Sequence, residues 1–482
     1  MSISHAIQAA RSGLQVSGLR ADIVATNVAN ATTPGYVRRS ALLAETTIGT
    51  QTQGVRVTGI GRASDHALTA ARMSLTSDLS QASVRAATWQ TISTRVGDSA
   101  DGSGLFGMMS NLESALKAAA ATPESESATN SVLNAARSLV NEFHGLAQMA
   151  ANQRAEADRE IADGVNVVNK ALKDIEALNV QISGVDQSSS QAASLLDERQ
   201  RLLDTISEYL PVEAVERDRG TIDVVTKEGV YLLAGKAQQI EFTPSNSFGP
   251  SQTVAGGQLS GLRVGDIDLT PGASSWAATS SGLFGALFTL RDNDLPDFSR
   301  QLDTVAGDLI SRLSADGIDP TTTAGEFGFF VDSDPLAGDG LASRIAINPL
   351  ADPAAGGELW RLRDGMNAIT EGSSGNSTIL SAMVNALTSV QSISQNGIQG
   401  SFNTSELAAH FSSLVGQTRV AHDAVLSSTT TQHTIATEAE QAQTGVDIDA
   451  QMQDLLLIEQ AYAANARVIE VASQMIDRLM EL

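Results

Sequence analysis

The chain has 482 residues, 42% of them hydrophobic, which is enough for about three domains with buried cores. Its net charge of −24, from 31 basic and 55 acidic residues, argues against a nucleic-acid-binding protein, because phosphate binding needs clustered lysine and arginine. It contains no cysteine, which excludes disulfides and thiolate metal sites. The sequence has no run of 18 apolar residues, so no membrane span is predicted, and the start "MSISHAIQAARSGLQVSG" has no secretory signal pattern.

The first 30 residues predict an amphipathic helix that stops abruptly. Its apolar residues recur at helical spacing, namely at Ile3, Ile7, Ala10, Leu14, Ala21, Val24 and Val28. The helix runs into "NVANATTPGYVRR" (27–39), where Pro34 and Gly35 predict a type II turn. Asn27 and Asn30 can bond free backbone groups or a neighbouring molecule, and Tyr36 combines an aromatic ring with a polar tip. We assign residues 1–50 to this helix and turn.

Long helices are predicted next and form a domain over 51–210. Helical periodicity covers 72–96, "GMMSNLESALKAAAA" and "AASLLDERQRLLDTISEYL". Residues 127–183 contain no proline and predict a helix of about 80 Å, with Gly145 and Gly164 as the points where a break would fall. This body is therefore expected to be an elongated helical rod.

After Pro211 the pattern changes to short β-rich runs such as "TIDVVT" and "VYLLAG". We predict a mainly β-rich insertion over 211–376, within which 281–315 is helical and either belongs to the insertion or returns to the rod. Helix is expected to resume near 377 and to continue without strands, so that 377–440 supplies return helices of the rod.

The last 40 residues carry the strongest periodic pattern, a coiled-coil seam in a C-terminal helix over 441–482. Ile448, Leu455, Tyr462, Ile469 and Ile476 are spaced by seven, and Ile458, Asn465, Ala472 and Leu479 form a second column three residues on. Residues 1–40 carry net charge +3 and residues 443–482 carry −5. Opposite charges favour pairing of the two ends, and we expect "AYAANARVI" (461–469) to be the partner of the 27–39 turn.

No motif for chemistry meets its structural requirements. "GSGLFG" (102–107) follows a helix and not a strand, and "GVYLLAGKA" has the wrong spacing for a phosphate loop. "DSDPLAGDG" lacks the glycine and glutamate of a calcium loop, and the six histidines are dispersed. We therefore predict no catalytic, cofactor-binding or metal-binding residue, and no enzyme.

Both ends resemble a known family. "SGLRADIVATNVANATTPGYVRR" is similar to the N-terminal signature of flagellar rod, hook and hook-associated proteins. "TGVDIDAQMQDLLLIEQAYAANARVIEVASQMIDRL" resembles their C-terminal signature, most closely in the hook-associated protein 1 family. Thr444-Gly445-Val446 favours that family, since hook and rod proteins more often have Ser-Asn-Val there. Ala450-Gln451 departs from it, because the family usually has acidic residues before the methionine.

The resemblance implies a structural subunit outside the cell that joins the flagellar hook to its filament. Its fold would be mainly α with an inserted β domain: terminal helices forming a coiled coil, a helical rod and an outer β-rich domain. Implied partners are further copies in a ring or helical layer, the hook protein, hook-associated protein 3, a cytosolic export chaperone on the C-terminal segment and the flagellar type III export apparatus. No cofactor is implied.

We expect assembly through the two ends, because their seams hold more apolar surface than one molecule can bury. The predicted interface residues are Leu14, Ala21, Asn27, Asn30, Pro34, Gly35, Tyr36, Ile448, Leu455, Ile458, Tyr462, Asn465, Ile469 and Ile476. One alternative is another axial protein, a hook or distal rod subunit. The other is a secreted enzyme with a β-rich catalytic insertion, which would need a converging polar cluster within 212–370.

Overall fold

The computed structural model describes residues 3–48, 51–245, 247–323 and 325–480, so residues 1–2, 49–50 and 481–482 of the predicted terminal domains lie outside it. The helices are α1 Ile3–Ala29, α2 His66–Val96, α3 Gly104–Ala121, α4 Glu126–Ser183, α5 Ser190–Tyr209, α6 Gly282–Thr289, α7 Leu295–Leu313, α8 Arg361–Asp364, α9 Thr378–Thr388, α10 Thr404–Thr444 and α11 Ile448–Met480. The strands are β1 Arg39–Ile48, β2 Gln51–Arg62, β3 Val212–Glu216, β4 Ile222–Thr226, β5 Tyr231–Ala234, β6 Lys236–Ala237, β7 Ile240–Glu241, β8 Arg263–Val264, β9 Ile267–Asp268, β10 Phe330–Asp332, β11 Ile345–Ile347, β12 Gln391–Gln395 and β13 Ile398–Phe402. The predicted mainly α fold with inserted β elements is confirmed.

Helix α4 is the axis of the molecule. It runs unbroken for 58 residues, about 87 Å, and passes through Gly145 and Gly164 without interruption. A Cβ atom on Gly164 would lie 2.6 Å from Cε1 of Tyr209, so this glycine allows α5 to approach closely. The N-terminal half of α4 shares one apolar core with α2, α3, α7, α9 and the start of α10, and its C-terminal half shares a second core with α5, α6 and the strands that follow α5.

The β-rich material forms small antiparallel sheets. Strands β3, β4, β5 and β6 make one sheet, β7, β8 and β9 a second, and β10 pairs with β11. Between them the chain returns to the helical body, where α6 continues through a π-helix, Leu290–Asp294, into α7. Phe298 and Leu302 of α7 lie in the same core as Phe143 of α4.

Buried arginines attach a β-rich loop to this body. The guanidinium of Arg291 is fully buried and pairs with Asp158 at 2.5 Å, while Arg154 donates to the carbonyl oxygens of Gly249 and Pro250. Burial lowers the pKa of Arg154 to about 10. Because these charges are taken out of water, each is held by several oxygens.

A β-hairpin that the sequence pattern did not predict follows the N-terminal turn. Strands β1 and β2 pair antiparallel from Arg39 opposite Arg62, with register irregularities at Leu42/Leu43 and Thr46/Thr47. The boundary we placed at residue 50 lies outside the described residues. The hairpin packs on α1, where Ser12 Oγ accepts a hydrogen bond from the Val55 amide.

The expectation of uninterrupted helix from 377 onward is wrong. Strands β12 and β13 form a hairpin between α9 and α10, with Gln395 opposite Ile398 and the two-residue loop Asn396-Gly397. Both loop residues have positive φ, 49° and 82°, as a type I′ turn requires. Arg312, fully buried on α7, donates to the Phe402 carbonyl oxygen and holds the hairpin in place.

Candidate assembly interface

Helices α1 and α11 lie side by side in opposite directions. Asn27, near the end of α1, contacts Gln451 at the start of α11, and Gly13 in the middle of α1 faces Asn465. A Cβ atom on Gly13 would lie 2.5 Å from Nδ2 of Asn465, so glycine is what allows the two backbones to approach. The two ends of the chain therefore pair within one molecule.

Of the two predicted columns of α11, the second is the more deeply buried in this pair. Its Ile458 and Ala472 are 4% and 5% exposed, although Leu479 at its end is 62% exposed, whereas Tyr462 of the other column is 51% exposed. The remaining predicted residues divide as follows: Asn465, Leu455 and Ile469 are half-buried, and Ile448 and Ile476 are exposed. On α1 the buried residues are Ala10, Val16, Ser17, Ile23, Val24 and Asn27, while Leu14 and Ala21 are half-buried.

A second apolar stripe on α11, which the sequence analysis missed, has no partner helix within the described residues. We call it the outer stripe, and it consists of Leu457, Ala461, Ala464, Val468, Val471 and Met475, all exposed. The spacing alternates between four and three residues, which is the spacing of a coiled-coil seam, so the pattern was readable in the sequence. It adjoins the buried column on the side away from Tyr462, and α11 thus carries more apolar surface than α1 covers.

Asn27 is the hydrogen-bond centre at the base of the helix pair. It is 1% exposed, and its Nδ2 donates to the Arg39 carbonyl oxygen at 2.8 Å and to Oε1 of Gln451 at 2.7 Å. Its Oδ1 accepts from the Tyr36 hydroxyl at 2.8 Å and from the Arg39 amide at 3.0 Å. One side chain thus joins α1, the turn, the hairpin and α11. Gln451, the departure from the family pattern, is its acceptor on α11.

The turn itself has the predicted geometry. The Tyr36 amide donates to the Thr33 carbonyl oxygen at 3.1 Å, and Gly35 has φ of +75°, as position three of a type II turn requires. Pro34 is exposed, and among the described residues the Asn30 side chain bonds only locally. Its Nδ2 donates to the Thr26 carbonyl oxygen at 2.9 Å, and its Oδ1 accepts from the Thr33 hydroxyl at 3.4 Å. Asn30 therefore has a local role in this structure, unlike Asn27.

The Tyr36 ring lies under the Arg39 guanidinium, 5.0 Å from its centroid. Burial raises the pKa of the Tyr36 hydroxyl, so it remains a hydrogen-bond donor at neutral pH.

The prediction that residues 461–469 are the partner of the turn is wrong. The amide of Arg38 donates to the Thr444 carbonyl oxygen at 2.9 Å, and its side chain reaches the Gln443 carbonyl oxygen at 3.3 Å. The turn therefore contacts the junction of α10 and α11, whereas 461–469 lies opposite the middle of α1. The turn lies at this junction because α1 and α11 pair antiparallel, so that the end of α1 meets the start of α11.

Ion pairs tie this base to the rod helices. Asp197 of α5, 4% exposed, receives both Arg39 at 3.2 Å and Arg62 at 2.7 Å. Arg72 of α2 bridges Asp204 of α5 and Glu440 of α10. Between α1 and α11 themselves the pair Arg20–Asp454 is 3.8 Å apart and exposed, so the opposite net charges of the two ends contribute little to holding them together.

The described residues contain no helix long and apolar enough to cross a bilayer, and no group of three or more His, Cys, Asp or Glu that would hold a metal ion. The polar groups at the base of the pair are instead bonded to one another. The arrangement can join chain segments, and its exposed apolar surface can bind another helix.

Comparison with known proteins gives two family matches. The family model of the flagellar hook-associated protein FlgK helical domain matches residues 91–327, and that of the flagellar basal body rod FlgEFG protein C-terminal region matches 441–482.

Flagellar hook-associated protein 1 of Salmonella typhimurium is 26% identical over 342 residues, covering 69% of this chain and 60% of that protein. The Bacillus subtilis protein of the same name is 21% identical and covers 98% of this chain and 97% of its own length. The chain thus spans about 60% of the length of the Salmonella relative. A solved flagellar hook junction protein FlgK from Burkholderia pseudomallei aligns over 55% of this chain and 46% of its own, at 20% identity and a TM-score of 0.44.

The helical-domain match distinguishes hook-associated proteins from the rod proteins that share the C-terminal signature, and it coincides with α3, α4 and α5, the centre of the helical body. Over residues 91–327 the chain therefore carries the helical domain of the FlgK family of flagellar hook-associated protein 1.

Proposed function

We propose that this chain is a structural subunit of the bacterial flagellum, located outside the cell at the junction between hook and filament. In this proposal α1 and α11 are the polymerisation elements, and the rod and β-rich parts form the body around them. The helical-domain match supports the junction role, and the geometry of the terminal helices supports self-assembly.

The outer stripe is the observation that carries the assembly part of the proposal. Six apolar or small residues at coiled-coil spacing lie exposed on a helix whose other face is already paired. Covering such a stripe removes apolar surface from water, at roughly 25 cal/mol per Å². A neighbouring copy supplies a terminal helix for this purpose, and head-to-tail contacts of this kind build a ring or a helical layer.

The other expected partners follow from the position in the flagellum. One surface of the layer would meet the hook protein and the opposite surface hook-associated protein 3. Before export, a cytosolic chaperone would cover the C-terminal segment, whose stripe would otherwise cause premature association, and the flagellar type III apparatus would carry the chain out. The predicted interface residues at 14–36 and 448–476 remain part of this proposal.

The closest alternative is another axial subunit, a hook or distal rod protein. The C-terminal match is compatible with it, whereas the helical-domain match over 91–327 favours the junction protein. Buried charges near the β-rich part, such as Arg291 with Asp158, are paired and bonded to backbone, which fits a structural role better than a catalytic one.

The direct test replaces one residue of the outer stripe in a strain that lacks the chromosomal gene. Val468 is 44% exposed in the single chain, so Val468→Asp should leave monomer stability nearly unchanged. It should abolish motility, because a carboxylate would be buried in the contact between copies. Secretion of the variant into the medium should continue.

The matched control is Ala463→Asp. Ala463 is exposed on the polar face of α11, none of its neighbours three or four residues away belongs to the outer stripe, and the substitution adds the same charge. Cells with the control should swim normally. Normal filaments on cells producing the Val468 variant would refute the assembly role of the stripe.

A further inference from the structure

A cavity of about 380 Å³ lies where the hairpin meets the rod. Its walls come from β1, β2, the start of α2, the 187–188 loop, α5 and the strands β3 and β4. The lining combines polar groups with apolar side chains, among them Leu42, Ile60, Leu196 and Leu203. This cavity is separate from the pairing surface of α1 and α11.

One guanidinium on its wall lacks a counter-ion. Arg199 of α5 is 8% exposed, and its Nη1 donates to Asn179 Oδ1 at 3.2 Å and to the Gly220 carbonyl oxygen at 2.6 Å. In the described part of the chain, no carboxylate lies within 4 Å of it, and its Nε and Nη2 donate to no residue. Burial and then the nearby Arg62 cation lower the pKa of Arg199 to about 10, while the Glu216 carboxylate opposes this shift.

The other charged groups on the cavity wall do not neutralise it. Arg62 and Arg39 both form ion pairs with Asp197. Glu216 is bonded to His66 Nε2 at 3.1 Å, and its side chain is 66% exposed. A buried cation is therefore unpaired here, in a chain whose net charge is −24.

We propose that this cavity is a carboxylate-binding site, filled in the assembled protein by an acidic side chain of a neighbouring copy. A carboxylate would accept hydrogen bonds from the free Nε and Nη2 in the paired geometry that arginine favours, and the apolar walls would pack against its methylene groups. The inference that a neighbouring copy supplies this carboxylate rests on the proposed function. It is supported by the large acidic excess of the chain and by Leu42 and Leu43, both 45% exposed on the hairpin that forms the rim.

The carboxylate site is tested on the monomer with hexanoate as the probe and hexylammonium as the control ligand. Hexanoate should shift the Arg199 Nε–H resonance saturably, and hexylammonium should not. Arg199→Met lacks the Nε–H signal, so its binding is followed through the resonances of hexanoate itself; it should weaken hexanoate binding about tenfold or more. Arg56→Met, which removes an exposed arginine of the same hairpin, should leave it unchanged.

Because Arg199 also holds Asn179 and Gly220, a second variant keeps the cation and fills the space. Leu196→Trp should block hexanoate while the melting temperature stays near that of the parent. Saturable binding that persists in both variants, or no saturable shift in the parent, would overturn the site.

The source is tested in cells with a photo-crosslinking amino acid at position 64, an exposed position on the cavity wall. Irradiation of assembled flagella should give a covalent dimer of this chain, mapped to an acid-bearing peptide of the second copy. Crosslinking to a different protein, or no crosslink in motile cells, would overturn the neighbour as occupant. Filaments made by cells without this chain would instead refute the proposed function, and hexanoate binding would be unaffected.

Discussion

Replacing Asn27 by leucine tests whether one side chain holds the terminal helices to the rest of the molecule. Leucine has a similar size but removes four hydrogen bonds, two to the Arg39 backbone and one each to Gln451 and Tyr36. Each buried polar group left without a partner costs about 1–3 kcal/mol. Because Tyr36 and part of Arg39 can regain water, we expect a loss of about 2–4 kcal/mol in the docking of α11.

Amide hydrogen exchange of the monomer measures this loss directly. Amides around Ile458, in the buried column of α11, should exchange about 30-fold faster or more in the Asn27 variant, while amides of α4 should not change. Asn30→Leu is the matched control, since Asn30 bonds only to Thr26 and Thr33 nearby. Equal protection of α11 in the Asn27 variant and the parent would refute the role assigned to Asn27.

Three further predictions concern the same helices. Gly13→Val should separate α1 from α11 and speed the exchange of α11 amides, because its Cβ would overlap Asn465. The control Gly18→Val should leave this exchange unchanged, since a Cβ atom there would meet nothing within 4 Å. Equal effects of the two substitutions would contradict the close approach of the helices. Limited proteolysis of the monomer should remove roughly the first 50 and the last 40 residues and spare α4; full protection of both ends would contradict the idea that assembly completes their order. Burial lowers the pKa of His422 and His433 on α10 below the usual 6.5, so the unfolded chain binds more protons than the folded chain. The melting temperature should therefore fall as pH drops through 6.5 towards 5, and it should fall less steeply when both histidines are replaced by glutamine. Identical slopes for the parent and the double variant would contradict this prediction.

The helical body was largely predictable because its signals are local. The absence of proline and the apolar period over 127–183 determine α4, and the glycines at 145 and 164 did not break it, since the long apolar face is buried along its whole length. The end of α1 and the turn at Pro34-Gly35 were also readable, because turn chemistry depends on adjacent residues.

The two hairpins were missed for different reasons. The β12–β13 hairpin has an Asn396-Gly397 loop, a strong sequence signal that we overlooked among Ser and Gln residues. In β1 and β2 the alternation of side chains is broken by irregularities at Leu42/Leu43 and Thr46/Thr47, and the hairpin gains its support from α1, which a local pattern does not reveal.

Contacts between distant segments were the least predictable part of the candidate interface. Asn27 was recognised as a residue that bonds outside its helix, but its partner Gln451 depends on the antiparallel pairing of α1 and α11. Likewise, the sharing of Asp197 by Arg39 and Arg62 joins segments about 150 residues apart in a way that no spacing encodes. The outer stripe, in contrast, was present in the spacing of residues 457–475 and was hidden by the stronger column beside it.

Electron microscopy of a strain lacking its gene is the decisive test of whether this chain joins hook to filament. Such cells should carry hooks without filaments, release filament protein into the medium, and regain filaments when the intact gene is returned. Filaments of normal length on the deletion strain would contradict it.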